Sequence, residues 1–514
     1  MDNNLRSLKR LAHGAGIVFV FSLSAYLFMF LFKLTIARYF GPNEFGLFNL
    51  AEAILGILST LALVGIDYGI ARYIPIYETK GEKSLLKGYL NFIFKIPLLS
   101  SLILTIFILL SAPLIKTFFD FPNEFVLMLR IFVVILPFHI LNSIFAQIFL
   151  AKNKVLHQNI SKHLIETGLL LVGALLIVLL KLNIYYLVLF FIIPKFLSFI
   201  YNMWVYKSKI NFQKTENKIY HWKEWIHFSL PLLFMSAFSY IISWTDNLVI
   251  GKFLEPKNLG VYAVAFSLSR FLLMFVYSFK IIFMPIISER YANKDRGAIS
   301  FLFKKSQNWM FGLALPIALF LFFFAKDVLN FLYGARYISG ALSIKILVIG
   351  FMINLYAGLV HNILILHKKT KSLFKISLFA AIMNIILNIV MVPVFGIIGA
   401  AISSTFSISL LSLFYWYKAR KLEKLNFDLN VNLKFFVSGV FGLIIIKIFT
   451  IIFNFNDHLK LILMGLLYIF IYLMFLLLFK TFDKSDIQIM LAIEKKLGIN
   501  LGFIKKIISK INKF

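Results

Sequence analysis

LTIARYFGPNEFGLF at Leu34–Phe48 and LVIGKFLEPKNLGVY at Leu248–Tyr262 are one stretch written twice, 214 residues apart, in a chain made almost wholly of apolar segments. Each copy leaves the end of an apolar segment, passes a short Pro/Gly turn and enters the next. Parallel repeats of a secondary transporter look like this in sequence, because each half is a bundle of the same helices. A second pair supports the duplication. Arg130–Lys154 aligns with Lys345–Lys369 at an offset of 215, with Ile131/Ile346, Val133/Val348, Ile148/Ile363 and Lys154/Lys369 identical and Gln147/Asn362 similar.

Composition fixes the class. Apolar residues fill 61% of 514 positions and the mean hydropathy is +0.89, well above the roughly 45–50% apolar content of soluble domains. The chain reads as an all-α integral membrane protein. Its longest polar interruptions, Tyr206–Trp225, Glu289–Ser306 and Lys418–Leu433, are too short to enclose a core, which excludes a separate catalytic domain. Without cysteine, the chain has no disulfide, thiolate metal site or cysteine nucleophile. No GxxxxGK[ST] phosphate loop occurs, so ATP-driven export by this chain alone has no support.

A helix needs about 20 apolar residues to cross the hydrocarbon. That rule places fourteen spans near 11–37, 47–71, 89–111, 127–150, 162–180, 184–205, 226–250, 261–288, 308–330, 342–366, 373–394, 397–417, 433–453 and 461–479, numbered 1 to 14 below. The basic N-terminus leads into span 1 without a small-residue cleavage site, which reads as a retained helix and not a signal peptide. Most of the 53 lysines and arginines fall at the two ends and in alternate loops, among them Arg72/Lys80/Lys83/Lys87 and Lys368/Lys369/Lys371/Lys375. Cationic loops resist translocation, so both termini are expected in the cytoplasm. The net charge of +31 is then a topology signal directed at lipid headgroups, and no nucleic-acid partner is expected. In the tail, Ile504, Ile507, Ile508 and Ile511 share one helical face opposite Lys505, Lys506, Lys510 and Lys513. An amphipathic helix lying on the membrane surface is expected there.

Charges within spans carry the functional reading. The bases are Lys33, Lys95, Arg130, Lys195, Arg270, Lys280, Lys345 and Lys447. Those near span ends can extend to the interface, whereas Arg270 and Lys280 share span 8, ten residues and so roughly 15 Å apart along a straight helix, far from either loop. Fixed cations in a partly desolvated cleft attract phosphate strongly, so these two point to an anionic cargo. Glu52, Asp67 and Asp246 are the acids, each either a counter-ion for a buried base or a proton or sodium coupling site. His139 and His361 occupy nearly equivalent places in the repeats, but no carboxylates stand at ligand spacing, and neither a metal site nor a cofactor is expected. Pro137, Pro231, Pro285, Pro316 and Pro393 fall in or near spans, where each can kink a helix.

Three runs resemble a known family: IARYFGPNEFGLFNLAEAILGILSTLALVGIDYGIARYI from Ile36, TDNLVIGKFLEPKNLGVYAVAFSLSR from Thr245, and PVFGIIGAAISSTFS from Pro393. They are similar to Wzx-type oligosaccharide flippases, polysaccharide biosynthesis and export proteins of the multidrug/oligosaccharidyl-lipid/polysaccharide exporter superfamily, over about residues 5–480. The resemblance implies two six-helix lobes across a central cavity, at 1–210 and 211–425, with two extra helices at 426–481 and a basic tail at 482–514. In the related lipid II flippases spans 1, 2, 7 and 8 line a cationic cavity. Carried over, the resemblance implies Lys33, Arg38, Lys252, Arg270 and Lys280 as cargo-binding cations, and Glu52, Asp67 and Asp246 beside them. Lys447 of span 13 sits oddly in the apolar groove the resemblance implies for the lipid tail.

The function expected is that of a non-enzymatic flippase in the plasma membrane. Its cargo would be a polyprenyl-pyrophosphate-linked oligosaccharide carried from the inner to the outer leaflet, with a glycan polymerase and glycosyltransferases as partners alongside the membrane lipids. A lipid II flippase is the nearest alternative. A cation-coupled multidrug antiporter is another, for which twelve spans and more acids than bases would be expected. A membrane glycan polymerase or ligase would need a sizeable outer loop that this chain lacks.

Overall fold

Phe32, Phe48, Phe132 and Phe191 come from spans 1, 2, 4 and 6, and their rings meet with centroids 5.2–6.2 Å apart. All four are buried. Between helices in lipid, which is as apolar as leucine, the gain comes from close packing and not from escape from water, so interlocking aromatic edges are an effective glue. In the computed structural model every regular element is a helix among the residues described, which are 27–483 and Asp486 apart from 120–121, 153, 211, 213–216, 424 and 453–456. The first part of span 1 and the amphipathic tail expected at 504–511 lie outside the described residues.

Ten helices in the described residues are long and apolar enough to cross a membrane, or eleven when the bent pair Pro256–Arg270 and Leu273–Lys280 is taken as one. The other expected spans are traceable. Span 7 is the 32-residue helix Trp222–Phe253, and span 1 is described only from residue 27. Spans 11 and 12 run together as Thr370–Arg420. Gly396 breaks that element with φ 59° and ψ −139°, a conformation open only to glycine. A Cβ on Gly399 would lie 2.2 Å from the Met391 carbonyl oxygen. Residues eight apart are about 12 Å apart in a straight helix, so the chain folds back at Gly396 and two spans result.

Several spans are broken. Span 2 is Pro42–Leu63 followed by Ile66–Thr79, with Val64 and Gly65 between them in the left-handed region. For a β-branched residue that conformation costs roughly 1–2 kcal/mol. Span 4 divides at residues 134–135, and span 5 passes through a π-helical stretch, Ile160–Gly168. Span 8, expected as one rod, is bent by 47° just after Arg270. The straight-helix spacing of Arg270 and Lys280 is therefore corrected: they stand on two inclined segments.

The chain forms two compact units. One comprises Ser24–Ala263 with Ser377–Ala400. In it residues 219 and 220, just before span 7, are docked: the Ile219 amide donates to the Ser84 carbonyl at 3.1 Å and Asn91 donates to the Tyr220 hydroxyl at 2.6 Å. The fully buried Trp225 indole N–H then donates to the Tyr77 hydroxyl at 2.8 Å, with Tyr89 and Phe92 packed against its ring.

The other unit comprises Val264–Ile376 and the chain from Ala401. Leu443 and Ile446 of span 13 pack with Met464, Tyr468 and Ile471 of span 14, against Leu319 and Phe320 of span 9. The Tyr472 hydroxyl ties span 14 to span 9 through the Gly312 carbonyl at 2.8 Å. Beyond span 14, Asp486 accepts from Trp309 at 2.9 Å and from Lys305 at 3.3 Å, and Lys305 also pairs with Asp483. Burial pushes the Asp486 carboxyl up, against the opposing pull of Lys305.

Candidate functional site

Span 1 carries Lys33 on a turn where span 2 brings Glu52 within reach. Their 2.9 Å ion pair is largely enclosed, each side chain 17% exposed. A charge in the bilayer needs a partner, and here Lys33 and Glu52 supply one to each other. Asp67 lies in the first turn of Ile66–Thr79, the helix that restarts after the Val64–Gly65 break. A carboxylate there also offsets the positive end of the helix dipole. Arg38 and Lys252 end their helices at matching places in the repeat and are both exposed.

Asp246 sits deep in span 7, 1% exposed. Its carboxylate accepts from the Tyr262 hydroxyl at the start of span 8 and from the Asn388 amide of span 11 at 2.9 Å. One helical turn before Asn388 lies Asn384, fully buried, and among the described residues neither polar atom of its side chain has a partner. The side-chain oxygen of Asn388 likewise has no hydrogen-bond partner among the described residues. Buried amides left open beside a carboxylate form a set of oxygen ligands suited to a small cation or a shared proton. Asn384, Asn388 and Tyr262 were missed by sequence reasoning, which searched spans for charges. Two asparagines four residues apart in span 11 were the available signal, since that spacing puts both on one helix face.

Arg270 and Lys280 belong to the second unit. The Arg270 guanidinium lies 6.0 Å from the Phe266 ring centroid and is exposed. Lys280 is half-buried, and its carbonyl accepts from the Asn362 amide at 2.8 Å, fixing span 8 to span 10. Among the described residues no carboxylate pairs with either cation.

Lys195 does not belong with them. The π-helical turn of span 5 widens the backbone so that Glu166 faces Lys195 of span 6 in an ion pair, the two side chains 12–13% exposed. Asn142 of span 4 and Ser198 of span 6 each donate to the same carboxylate at 3.1 Å. Asn202 donates to Asn142 at 3.1 Å. This network ties spans 4, 5 and 6 together. Glu166 lies inside the expected span 5 and was overlooked among the intramembrane acids.

The sequence profile of the polysaccharide biosynthesis protein family matches residues 35–342. An uncharacterized membrane protein of Methanocaldococcus jannaschii is 24% identical over 416 residues, 78% of this chain and 82% of that protein. The probable flippase AglR of Haloferax volcanii is 26% identical over 174 residues, about a third of each chain (33% and 36%). The capsular polysaccharide biosynthesis protein CapF of Staphylococcus aureus is 22% identical over 41% of this chain and 54% of its own length. Among solved structures, the lipid II flippase MurJ in an inward closed conformation superposes with a TM-score of 0.71 at 19% identity, covering 89% of this chain and 97% of that one. An inward-facing multidrug resistance transporter of the MATE family gives 0.66 at 13% identity, covering 79% and 98%. At these identities the structural likeness establishes the fold alone.

Proposed function

Because this chain belongs to the polysaccharide biosynthesis protein family, we propose that it is a flippase for a lipid-linked oligosaccharide. The cargo would be a polyprenyl-pyrophosphate-linked repeat unit of a surface polysaccharide, carried from the inner to the outer leaflet of the plasma membrane. The observation that carries this reading is the imbalance of charge within the spans. Glu52 and Asp246 have partners, while no ion pair with a carboxylate is formed by Arg270 or Lys280 among the described residues. Uncancelled positive charge in the bilayer is costly to maintain unless a negative group visits it, and a pyrophosphate is such a group.

The physical need is clear. A charged, sugar-bearing head would lose its hydration in hydrocarbon without replacement. A wet path between lobes at 1–210 and 211–425, opening to each side in turn, gives it a route. On this reading Arg270, Lys280, Lys252, Arg38 and Lys33 neutralise the phosphates, and Asp246 with Asn384 and Asn388 takes the coupling proton or sodium ion. The chain ends lie in the cytoplasm, and glycosyltransferases and a glycan polymerase act before and after the flip. The descriptions of AglR as a probable flippase and of CapF as a capsular polysaccharide biosynthesis protein support this reading.

Lipid II carries the same pyrophosphate, and the fold shared with MurJ makes it the alternative cargo. Replacing Arg270 or Lys280 by Glu is expected to abolish surface glycan while the protein still inserts. Normal glycan in both variants would overturn the anionic-cargo reading, and rescue of a strain depleted of its lipid II flippase would move the assignment to the alternative.

A further inference from the structure

Lys95 is a base within span 3 that the proposed cargo path leaves unused, and the helix around it shows where it stands. On the helix Lys83–Phe119 it shares one face with Ser84, Gly88 and Asn91 before it and with Leu99 and Ile106 after it. The first part of that face is covered by the segment that opens span 7. The Ile219 amide donates to the Ser84 carbonyl at 3.1 Å, and Asn91 donates to the Tyr220 hydroxyl at 2.6 Å. Between them a Cβ on Gly88 would lie 1.9 Å from the Ile219 carbonyl oxygen, so the segment lies flat because that position has no side chain. Past Asn91 the cover stops: Lys95, Leu99 and Ile106 are all exposed.

Lys95 is therefore a cation at the head of a stripe that faces lipid, and among the described residues no ion pair includes it. Such a charge is costly unless its end reaches the headgroups. Side chains on a helix lean toward its N-terminus, and a lysine stem is about one turn long. The ammonium is thus carried back to the level of Asn91, where the Tyr220 hydroxyl is held. That hydroxyl accepts from Asn91, which leaves its own proton to donate. Ile219 and Trp222 on either side of Tyr220 are exposed, and Lys223 stands 5.6 Å from the Trp222 ring centroid. Two converging donors, one charged, match the oxygens of a phosphate, and the apolar stripe beyond them matches acyl chains. A zwitterionic lipid brings its own cation, so the lysines favour an anionic one.

We propose that Lys95 and Tyr220 hold the phosphate of one anionic phospholipid, which bridges span 3 and the segment that opens span 7. The site lies on the lipid-facing side of a single unit. It does not depend on the cargo.

The full chain in phosphatidylcholine nanodiscs is titrated with phosphatidylglycerol carrying brominated chains, which quench nearby tryptophan. The quenching lost in Trp222→Phe is that of Trp222. It should saturate at a low fraction of the anionic lipid, and Lys95→Gln should need about tenfold more, the worth of one charged hydrogen bond. Tyr220→Phe keeps the ring, loses the proton and should shift the curve in the same direction. Lys95→Arg should bind like the wild type. Lys80→Gln, which removes an exposed cation just before span 3, should change nothing. No shift in Lys95→Gln, or an equal shift in Lys80→Gln, would overturn the site, the latter by showing diffuse attraction. Equal quenching by brominated phosphatidylcholine, or displacement of the brominated lipid by an equal amount of a polyprenyl diphosphate, would overturn its assignment to an anionic phospholipid. Should Lys95→Gln fail to insert, native mass spectrometry of the wild type decides: phosphatidylglycerol should be retained over phosphatidylcholine, and equal retention overturns the proposal.

Discussion

Asn388 reaches from span 11 to donate its amide to the Asp246 carboxylate of span 7 at 2.9 Å, next to Asn384, whose side chain has no partner among the described residues. If the pair holds a coupling cation, shape is less important there than charge. Asp246→Asn keeps the shape and removes the charge. Export should fall at least tenfold, a loss of about 1.4 kcal/mol or more in driving the cycle, and the cation dependence of thermal stability should vanish. Full export by this variant would leave Asp246 as a structural hydrogen-bond acceptor.

Breaking the Glu166–Lys195 pair leaves one buried charge without compensation. Lys195→Met should destabilise the protein by about 3–5 kcal/mol, seen as a lowered midpoint of thermal unfolding in detergent. Adding Glu166→Gln should recover most of the loss, because the orphaned charge goes too. A double variant as unstable as the single would show that the network's worth lies in packing.

Lys33 and Glu52 can be exchanged. Lys33→Glu with Glu52→Lys keeps an ion pair between spans 1 and 2, so insertion and melting should change little. The cation nevertheless moves to the other helix, and export should drop about tenfold if Lys33 touches phosphate. Unchanged export in the exchange would confine the pair to holding the two helices together.

Outside the membrane, Asp428 accepts from Lys304 at 2.8 Å and from the Val431 amide at 3.3 Å. Partial burial pushes its carboxyl up, but Lys304 and the amide outweigh it and hold it below the usual value. A carboxyl lowered by folding stabilises the protein above its unfolded pKa, and that contribution is lost as pH falls through the lowered folded value. Asp428→Asn should therefore melt earlier at neutral pH, by no more than about 1 kcal/mol for so open a pair. The gap from wild type should close in acid. A gap that stays constant with pH would assign the effect to the cap alone.

The repeat and the run of spans were legible because each rests on a local signal: a motif written twice, and about 20 apolar residues in a row. Lys33, Asp246 and Lys280 stood out as charges in apolar surroundings. Their partners did not. Glu52 meets Lys33 only because two helices cross there, and Asn388 lies 142 positions from Asp246. The bend after Arg270 had no proline to announce it. Glu166 was in plain view as an acid inside span 5, but its pairing with Lys195 across a π-helical stretch was not.

The docking of Ile219 on Ser84, and of Trp225 under Tyr77, bears on how the chain is built. All of span 3 and its neighbours leave the ribosome well before residue 219, so a seat is ready when the connecting segment arrives. Biogenesis then proceeds in one direction, with the earlier repeat serving as template for the start of the later one. A nascent chain halted once Trp225 has cleared the ribosome should already resist protease at the join, before most of the second repeat has been synthesised.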